Sequence, residues 1–187
     1  MPEMNKNGSQ GTPPPSTEIL HEGPAKLGPR FQEILLLIGQ LNYTWTNTES
    51  LLIYLIAGLA RVDKETAIVI FLTLNTTRAR IELVERLSKL AKNPTDRRRE
   101  ILSVTEQLTR QAKLRNKYSH CIYSFDETGT SGSTQLMRIF DAKDDIRYGK
   151  IEELDDAEVR KITNCINDIK NTNTTIWRLV REYSYPH

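Results

Sequence analysis

Between Pro29 and Tyr183 the apolar residues recur mainly at intervals of three and four, a period that restricts most of the chain to helices with one buried face. Along 94–120 the stripe is Ile101, Val104/Thr105, Leu108 and Ala112, and the positions that continue it are Arg115 and Ser119. From Arg30 to about Ala60 it runs through Phe31, Ile34/Leu35, Ile38, Leu41, Trp45, Leu52, Leu55/Ile56 and Leu59, widened by Leu36, Leu37 and Leu51. A stripe this wide predicts one long helix with neighbours on two sides. Residues 77–92 present Ile81, Val84, Leu87 and Leu90/Ala91, and the last stretch presents Val159, Ile162, Ile166, Ile169, Ile176, Leu179/Val180 and Tyr183.

The punctuation between the stripes agrees with that reading. Asn93-Pro94 ends one helix and starts the next, with Pro94 at a first-turn position where its missing N–H costs nothing. Asp63 caps a short apolar segment, 67–74, whose β-branched residues leave a strand open as the alternative. Asn75-Thr76-Thr77 can cap the helix that follows it. Leu154-Asp155-Asp156-Ala157-Glu158 reads as a capping box with Asp155 at the cap. After His120 the period drops to two: Cys121–Phe125 alternates, Glu127–Ser133 supplies a turn, and Gln135–Phe140 alternates again. Asp144–Lys150 offers a third short strand. The expected fold is mainly all-α, an antiparallel bundle of four main helices with a short additional helix and a small β-hairpin insertion before the last helix. Residues 1–29, rich in Pro, Gly, Ser, Asn and Thr, bury too little apolar surface to offset ordering and are expected to form a disordered tail, leaving 30–187 as one domain.

Charge narrows the function classes. A formal net charge of +2 is too small for a generic nucleic-acid coat. Residues 93–118, however, carry Arg97, Arg98, Arg99, Arg110, Lys113, Arg115 and Lys117 against Asp96, Glu100 and Glu106, whereas 141–158 is acidic. Such a split is either a solvated charge pattern or a local field that draws a polyanion to one face, with Arg110, Lys113 and Lys117 as the contacts. Two cysteines, Cys121 and Cys165, without CxxC spacing make a reducing, cytoplasmic compartment and no structural zinc the expectation. The N-terminus has no apolar run after a basic region, and the run Leu51–Leu59 is far short of the roughly 20 residues that span a bilayer, so no membrane partner is expected. Phosphate-loop, HExxH and GxSxG patterns are absent from the sequence.

Two charges interrupt stripes that otherwise point into a core: Glu49, flanked by Trp45 and Leu52, and Arg115. A buried charge needs a partner, and a guanidinium fork matches a carboxylate, so the two are expected to meet, unless Glu49 edges onto solvent. Five residues beyond Arg115 stands His120, the one histidine outside the terminal regions. Histidine exchanges protons near neutrality, and a fixed cation beside it suits chemistry on an anion. The plain structural alternative is an arginine in an ion pair and a histidine favoured at a helix C-terminus by the macrodipole.

Arg115-Asn116-Lys117-Tyr118-Ser119-His120 resembles the motif of the HEPN superfamily (higher eukaryote and prokaryote nucleotide-binding domains). That motif is an arginine, four to six residues, then a histidine, with Asn, Asp or His often following the arginine. Here the spacing is four, the following residue is Asn116, and the setting over roughly 30–183 is similar to the family's bundle: a late helix carrying the motif, an earlier long helix with an inward glutamate, and a closing helix. The tail and the hairpin lie outside the common pattern. The resemblance implies a metal-independent endoribonuclease that uses no cofactor, works as a homodimer on RNA, and joins the motif helices of two subunits in a composite cleft. It also implies a toxin or defence effector, with an antitoxin or regulatory protein as a further partner. The alternative within the family is a catalytically inactive dimer that binds nucleotide, RNA or a protein.

The residues suit that chemistry. RNA cleavage by its own 2′-hydroxyl needs a base, a cation for the charge building on phosphorus, and an acid for the leaving 5′-oxygen. His120 can act as base or acid and Arg115 supplies a permanent planar cation. Asn116 can orient phosphate or ribose, Tyr118 can offer a hydroxyl or stack on a base, and Glu49 supports the arginine. A separation of five residues is about 7.5 Å along a helix axis and points to different faces, so one helix serves the pair poorly and a second copy is the natural remedy.

Overall fold

A computed structural model describes residues 28–90, 93–142 and 145–187. The tail expected over 1–29 lies, up to residue 27, outside the described residues. Most of the described chain is helical, with a small antiparallel sheet. In chain order the elements are α1 (Pro29–Glu49), α2 (Leu52–Ala60), α3 (Lys64–Thr73), α4 (Thr77–Ser88), α5 (Thr95–Ser119), β1 (Cys121–Phe125), β2 (Gly132–Leu136), β3 (Ile139–Ala142), β4 (Asp145–Tyr148), β5 (Ile151–Glu153) and α6 (Asp156–Glu182). They fall into two compact units, one of residues 36–119 and 160–187, the other of residues up to 35 and 120–159.

In the helical unit, Leu41, Trp45, Leu52, Leu55, Ile101 and Leu108 are at most 1% exposed, and Ile162, Ile169, Ile176 and Leu179 join them from α6. These are positions of the expected stripes. α4 packs on α5, and α2 on both α3 and α4. Polar side chains tie helices together where the apolar period lapses. The buried amide of Gln111 on α5 donates to Thr172 Oγ1 on α6 at 2.7 Å, and Asn173 Nδ2 on α6 donates to Thr48 Oγ1 on α1 at 3.1 Å. The caps are where the sequence puts them. Asp63 accepts from the Thr66 N–H at 2.8 Å and Thr76 from the Ala79 N–H at 3.1 Å, each satisfying a first-turn amide that the helix leaves open.

The single helix expected over 30–60 is two. At Ser50-Leu51 the ladder tightens to i→i−3 bonds, Leu51 N–H to Thr48 O and Ile53 N–H to Ser50 O, both at 3.1 Å. No proline or glycine stands there. The preceding run, Thr44 to Ser50, instead holds hydroxyls that take backbone carbonyls: Thr48 Oγ1 donates to Thr44 O and Ser50 Oγ to Asn47 O. Such bonds compete with helix continuation. The helix expected over 77–92 is likewise shorter: α4 ends at Ser88, and Asn93 Nδ2 caps the carbonyl of Leu87 at 2.8 Å. The segment 67–74 left open between helix and strand is helix α3.

In the other unit, β1 and β2 form a hairpin as expected, but its second strand is Gly132–Leu136, earlier than the expected Gln135–Phe140, with Cys121 opposite Leu136 and Phe125 opposite Gly132. The third strand of that sheet is β5, paired to β2, whereas the stretch expected to supply it, 144–150, contains β4, which pairs with β3 in a separate ribbon. The run 135–140 is therefore two strands, broken where Arg138 N–H turns back to Leu136 O at 2.8 Å. Asp155 caps α6 through the Glu158 N–H at 2.8 Å, as the capping box predicts.

One carboxylate organises the β1–β2 turn. Asp126 accepts from the Thr130 N–H and Oγ1, the Ser131 N–H and Thr128 Oγ1, at 2.9–3.2 Å. Gly129, at φ +64°, completes the turn in a conformation open to glycine. Desolvation pushes the Asp126 pKa up, but these bonds, led by that from the Thr130 N–H, outweigh it and hold it below the ordinary aspartate value. A depressed folded pKa contributes order that is present above the unfolded value of about 3.9 and is lost as pH falls through the folded one. Amide-exchange protection at Thr130 and Ser131 is therefore expected to be intact at neutral pH and to be lost only as pH falls through the lowered pKa of folded Asp126. Asp126→Asn, whose amide must aim N–H at N–H, is expected to lose the protection already at neutral pH. Protection in the variant equal to wild type would remove the carboxylate from this role.

Candidate functional site

The C-terminal third of α5 carries most of the residues singled out by the sequence. Along it the buried positions are Leu108, Gln111 and Tyr118, with Ala112 and Arg115 half-buried, so the stripe reaches the core at Tyr118 and not at Ser119. Tyr118 is 1% exposed. Its role as a base-stacking side chain is thereby corrected: a ring packed in the core has no face open to a nucleotide. Ser119 Oγ instead donates to Asn42 Oδ1 on α1 at 3.0 Å, fixing the end of α5 against that helix.

Arg115 is half-buried, and its Nη1 donates to the Oδ1 of its exposed neighbour Asn116 at 3.1 Å. Its Nε is enclosed without a hydrogen-bond partner. The expected Glu49–Arg115 pair does not form. Glu49, with 12% of its side chain exposed, accepts from Thr77 Oγ1 at 2.6 Å, Arg80 Nη1 at 3.1 Å and Trp45 Nε1 at 3.2 Å. Arg80 also donates its Nε to Phe71 O at 3.2 Å and lies over the Phe71 ring at 4.1 Å. The physical reason is proximity set by the helix breaks. Glu49 closes α1 and Thr77–Arg80 opens α4, so the glutamate meets the first turn of α4. Its need for a cation was legible; the identity of the cation was not. The signal that could have found it is Arg80 beside Ile81 on the inner face of α4.

Nearby on α5, Lys113 is exposed, and Arg110 is exposed but neutralised by Glu106 at 2.6 Å. Lys117 lies half-buried with its ammonium 5.1 Å from the centre of the Tyr118 ring. Arg115 is therefore a cation without a carboxylate in contact among the described residues, at the end of a basic helix. Such a guanidinium, with a neutral amide as its hydrogen-bond partner, keeps donors for a phosphate.

His120 opens the other compact unit. It is exposed, in the bend after α5, and its carbonyl accepts from the Met137 N–H at 3.2 Å where the strands begin. That bond anchors the backbone and leaves the imidazole to solvent, as a proton-transfer group requires. Among the described residues no helix is long and apolar enough to cross a membrane. Comparison with protein-family models, with curated proteins and with solved structures finds no match to this chain in any of the three.

Proposed function

We propose that the chain is a metal-independent endoribonuclease of HEPN type, in which Arg115 and His120 act on one phosphodiester. The observation that carries this reading is the half-buried Arg115 guanidinium, which among the described residues has no carboxylate partner and is bonded only to Asn116. A structural arginine would be neutralised, as Arg80 is by Glu49. In this reading α1, α4, α5 and α6 are the four main helices of an antiparallel bundle, and the protein works as a homodimer in the cytoplasm as a toxin or defence effector. An antitoxin or regulatory protein would then hold it in check.

The reaction follows from the groups present. His120 takes the proton of the ribose 2′-hydroxyl, whose oxygen attacks the adjacent phosphorus. The P–O5′ bond breaks, and an imidazolium returns a proton to the departing 5′-oxygen. Arg115 stabilises the two equatorial oxygens as charge builds on them, and Asn116 orients the phosphate. Lys113 draws in the backbone. The products are a 2′,3′-cyclic phosphate and a 5′-hydroxyl.

The test is purified protein with single-stranded and with structured RNA in excess chelator. Cleavage leaving cyclic phosphate ends is expected, and Lys113→Ala is expected to weaken binding and to reduce the slope of log affinity against log salt by about 1. Intact RNA of both kinds would replace the nuclease by the non-cleaving family alternative, a dimer that binds nucleotide, RNA or a protein.

A further inference from the structure

The sheet face that His120 adjoins is apolar and open. The Met137 N–H donates to His120 O at 3.2 Å, which carries the β1–β2 register one pair further and sets His120 opposite Met137. Side chains alternate along a strand, so the next row on that face is Ile122, Gln135 and Ile151, one residue each from β1, β2 and β5. The other face is the packed one: Thr134 is buried there, and the Phe125 ring meets that of Phe31 edge-on with centroids 4.8 Å apart. On the His120 face Met137 is 71%, Ile151 47% and Ile122 38% exposed. Arg138 N–H, bonded to Leu136 O at 2.8 Å, closes a three-residue turn with Met137 at its apex. Gln135, in the middle of the row, directs its Nε2 to Gly149 O at 3.2 Å. Apolar side chains scattered singly over a surface need no explanation, but three in neighbouring register positions make a patch.

We propose that this patch seats the base of the nucleotide whose 2′-hydroxyl His120 deprotonates, and that Met137 contacts it. The inference rests on the nuclease reading and gives that site a substrate preference, a purine on the 5′ side of the cleaved bond. The base is attached to C1′, the carbon next to the one carrying the attacking hydroxyl. An imidazole that reaches this hydroxyl therefore has the base at its flank. On the sheet side the flanking residue is Met137, whose Cα stands about 5.5 Å from that of its partner in such a pair. A base is the occupant because Ile122, Gln135, Ile151 and Met137 bring no charge: the patch suits a π-face and not a phosphate. A polarisable thioether packs well against aromatic rings. Stacking strength grows with ring size, which favours adenine or guanine over a pyrimidine.

The chain has three methionines, Met1, Met4 and Met137, so labelling their methyl groups with carbon-13 gives three signals, with that of Met137 identified by its loss in Met137→Leu. The probe is oligoadenylate bearing 2′-fluoro groups, which lacks the attacking hydroxyl and stays intact. Its adenine rings are expected to move the Met137 methyl upfield and to leave Met1 and Met4 in place, with a smaller shift from 2′-fluoro oligouridylate. In cleavage, Met137→Ala is expected to lower kcat/KM about three- to tenfold where adenosine precedes the cut and to change it less than twofold where uridine does. The substitution is safe for the fold, since the side chain is exposed and its contact with His120 runs through the backbone. An unmoved Met137 methyl in a protein that cleaves RNA overturns the base site and leaves the nuclease reading in place. Equal losses on adenosine and uridine substrates make Met137 structural and also overturn it. A methyl shifted by adenine in a protein that never cleaves RNA upholds the base site and removes the nuclease. Neither shift nor cleavage removes both.

Discussion

His120→Ala is expected to lower RNA cleavage by about 10²–10⁴-fold, the usual contribution of one general acid–base group, while RNA binding stays within a factor of about two. The two effects would separate because, on the proposed mechanism, the imidazole moves protons whereas the basic side chains of α5 hold the polyanion. The substitution is safe for the fold: His120 is exposed, and the contact it makes with Met137 runs through its backbone carbonyl, which alanine retains. Single-turnover cleavage and a binding titration at one salt concentration are sufficient. Loss of binding in parallel with cleavage would make His120 a binding residue. Cleavage undiminished in His120→Ala would remove the assigned mechanism and leave the fold untouched.

What could be read beforehand followed physical distance along the chain. Caps were legible because the side chain and the amide it satisfies are three residues apart, as at Asp63, Thr76 and Asp155. The length of α5 was legible because Pro94 and the change of period at His120 bracket it. The break after Glu49 was not, because the apolar positions stay in phase across it: Leu41, Trp45, Leu52 and Leu55 are all buried, and only the hydroxyl run before it marks the place. The hairpin was legible from alternation alone. The choice of β5 over β4 as third strand was not, since Asp145–Tyr148 alternates, Ile151–Glu153 is too short to show a period, and pairing is decided across the sheet. At the site, periodicity found the interruptions at Glu49 and Arg115, missed the buried Gln111 on α5, and could not choose the partner. Glu49 had two arginines available, and its meeting with the first turn of α4 depends on the end of α1, which the sequence placed too late.

That choice of partner sets the second large effect. Arg80→Ala is expected to destabilise the chain by about 2–4 kcal/mol, because it strands a largely buried carboxylate and removes the cover over Phe71. Arg115→Ala is expected to cost about 1 kcal/mol or less, the packing of its aliphatic stem, since it leaves no charge stranded. Activity is expected to respond in the opposite sense. Arg115→Ala abolishes cleavage in a folded protein, and Arg80→Ala retains it wherever the protein remains folded. Glu49→Gln distinguishes the charge from the shape. Its carboxylate accepts from three donors, Trp45, Thr77 and Arg80, and an amide must turn its own N–H₂ toward at least one of them. Replacing both partners with apolar side chains, Glu49→Leu with Arg80→Met, is expected to recover most of the loss, because no charge is then left buried. Urea unfolding of wild type, Glu49→Leu, Arg80→Met and the double variant gives the cycle, with Arg80→Ala and Arg115→Ala measured beside it. Equal costs for Arg80→Ala and Arg115→Ala would mean that Glu49 divides its charge between the two arginines, and the free guanidinium on which the nuclease reading stands would no longer be free.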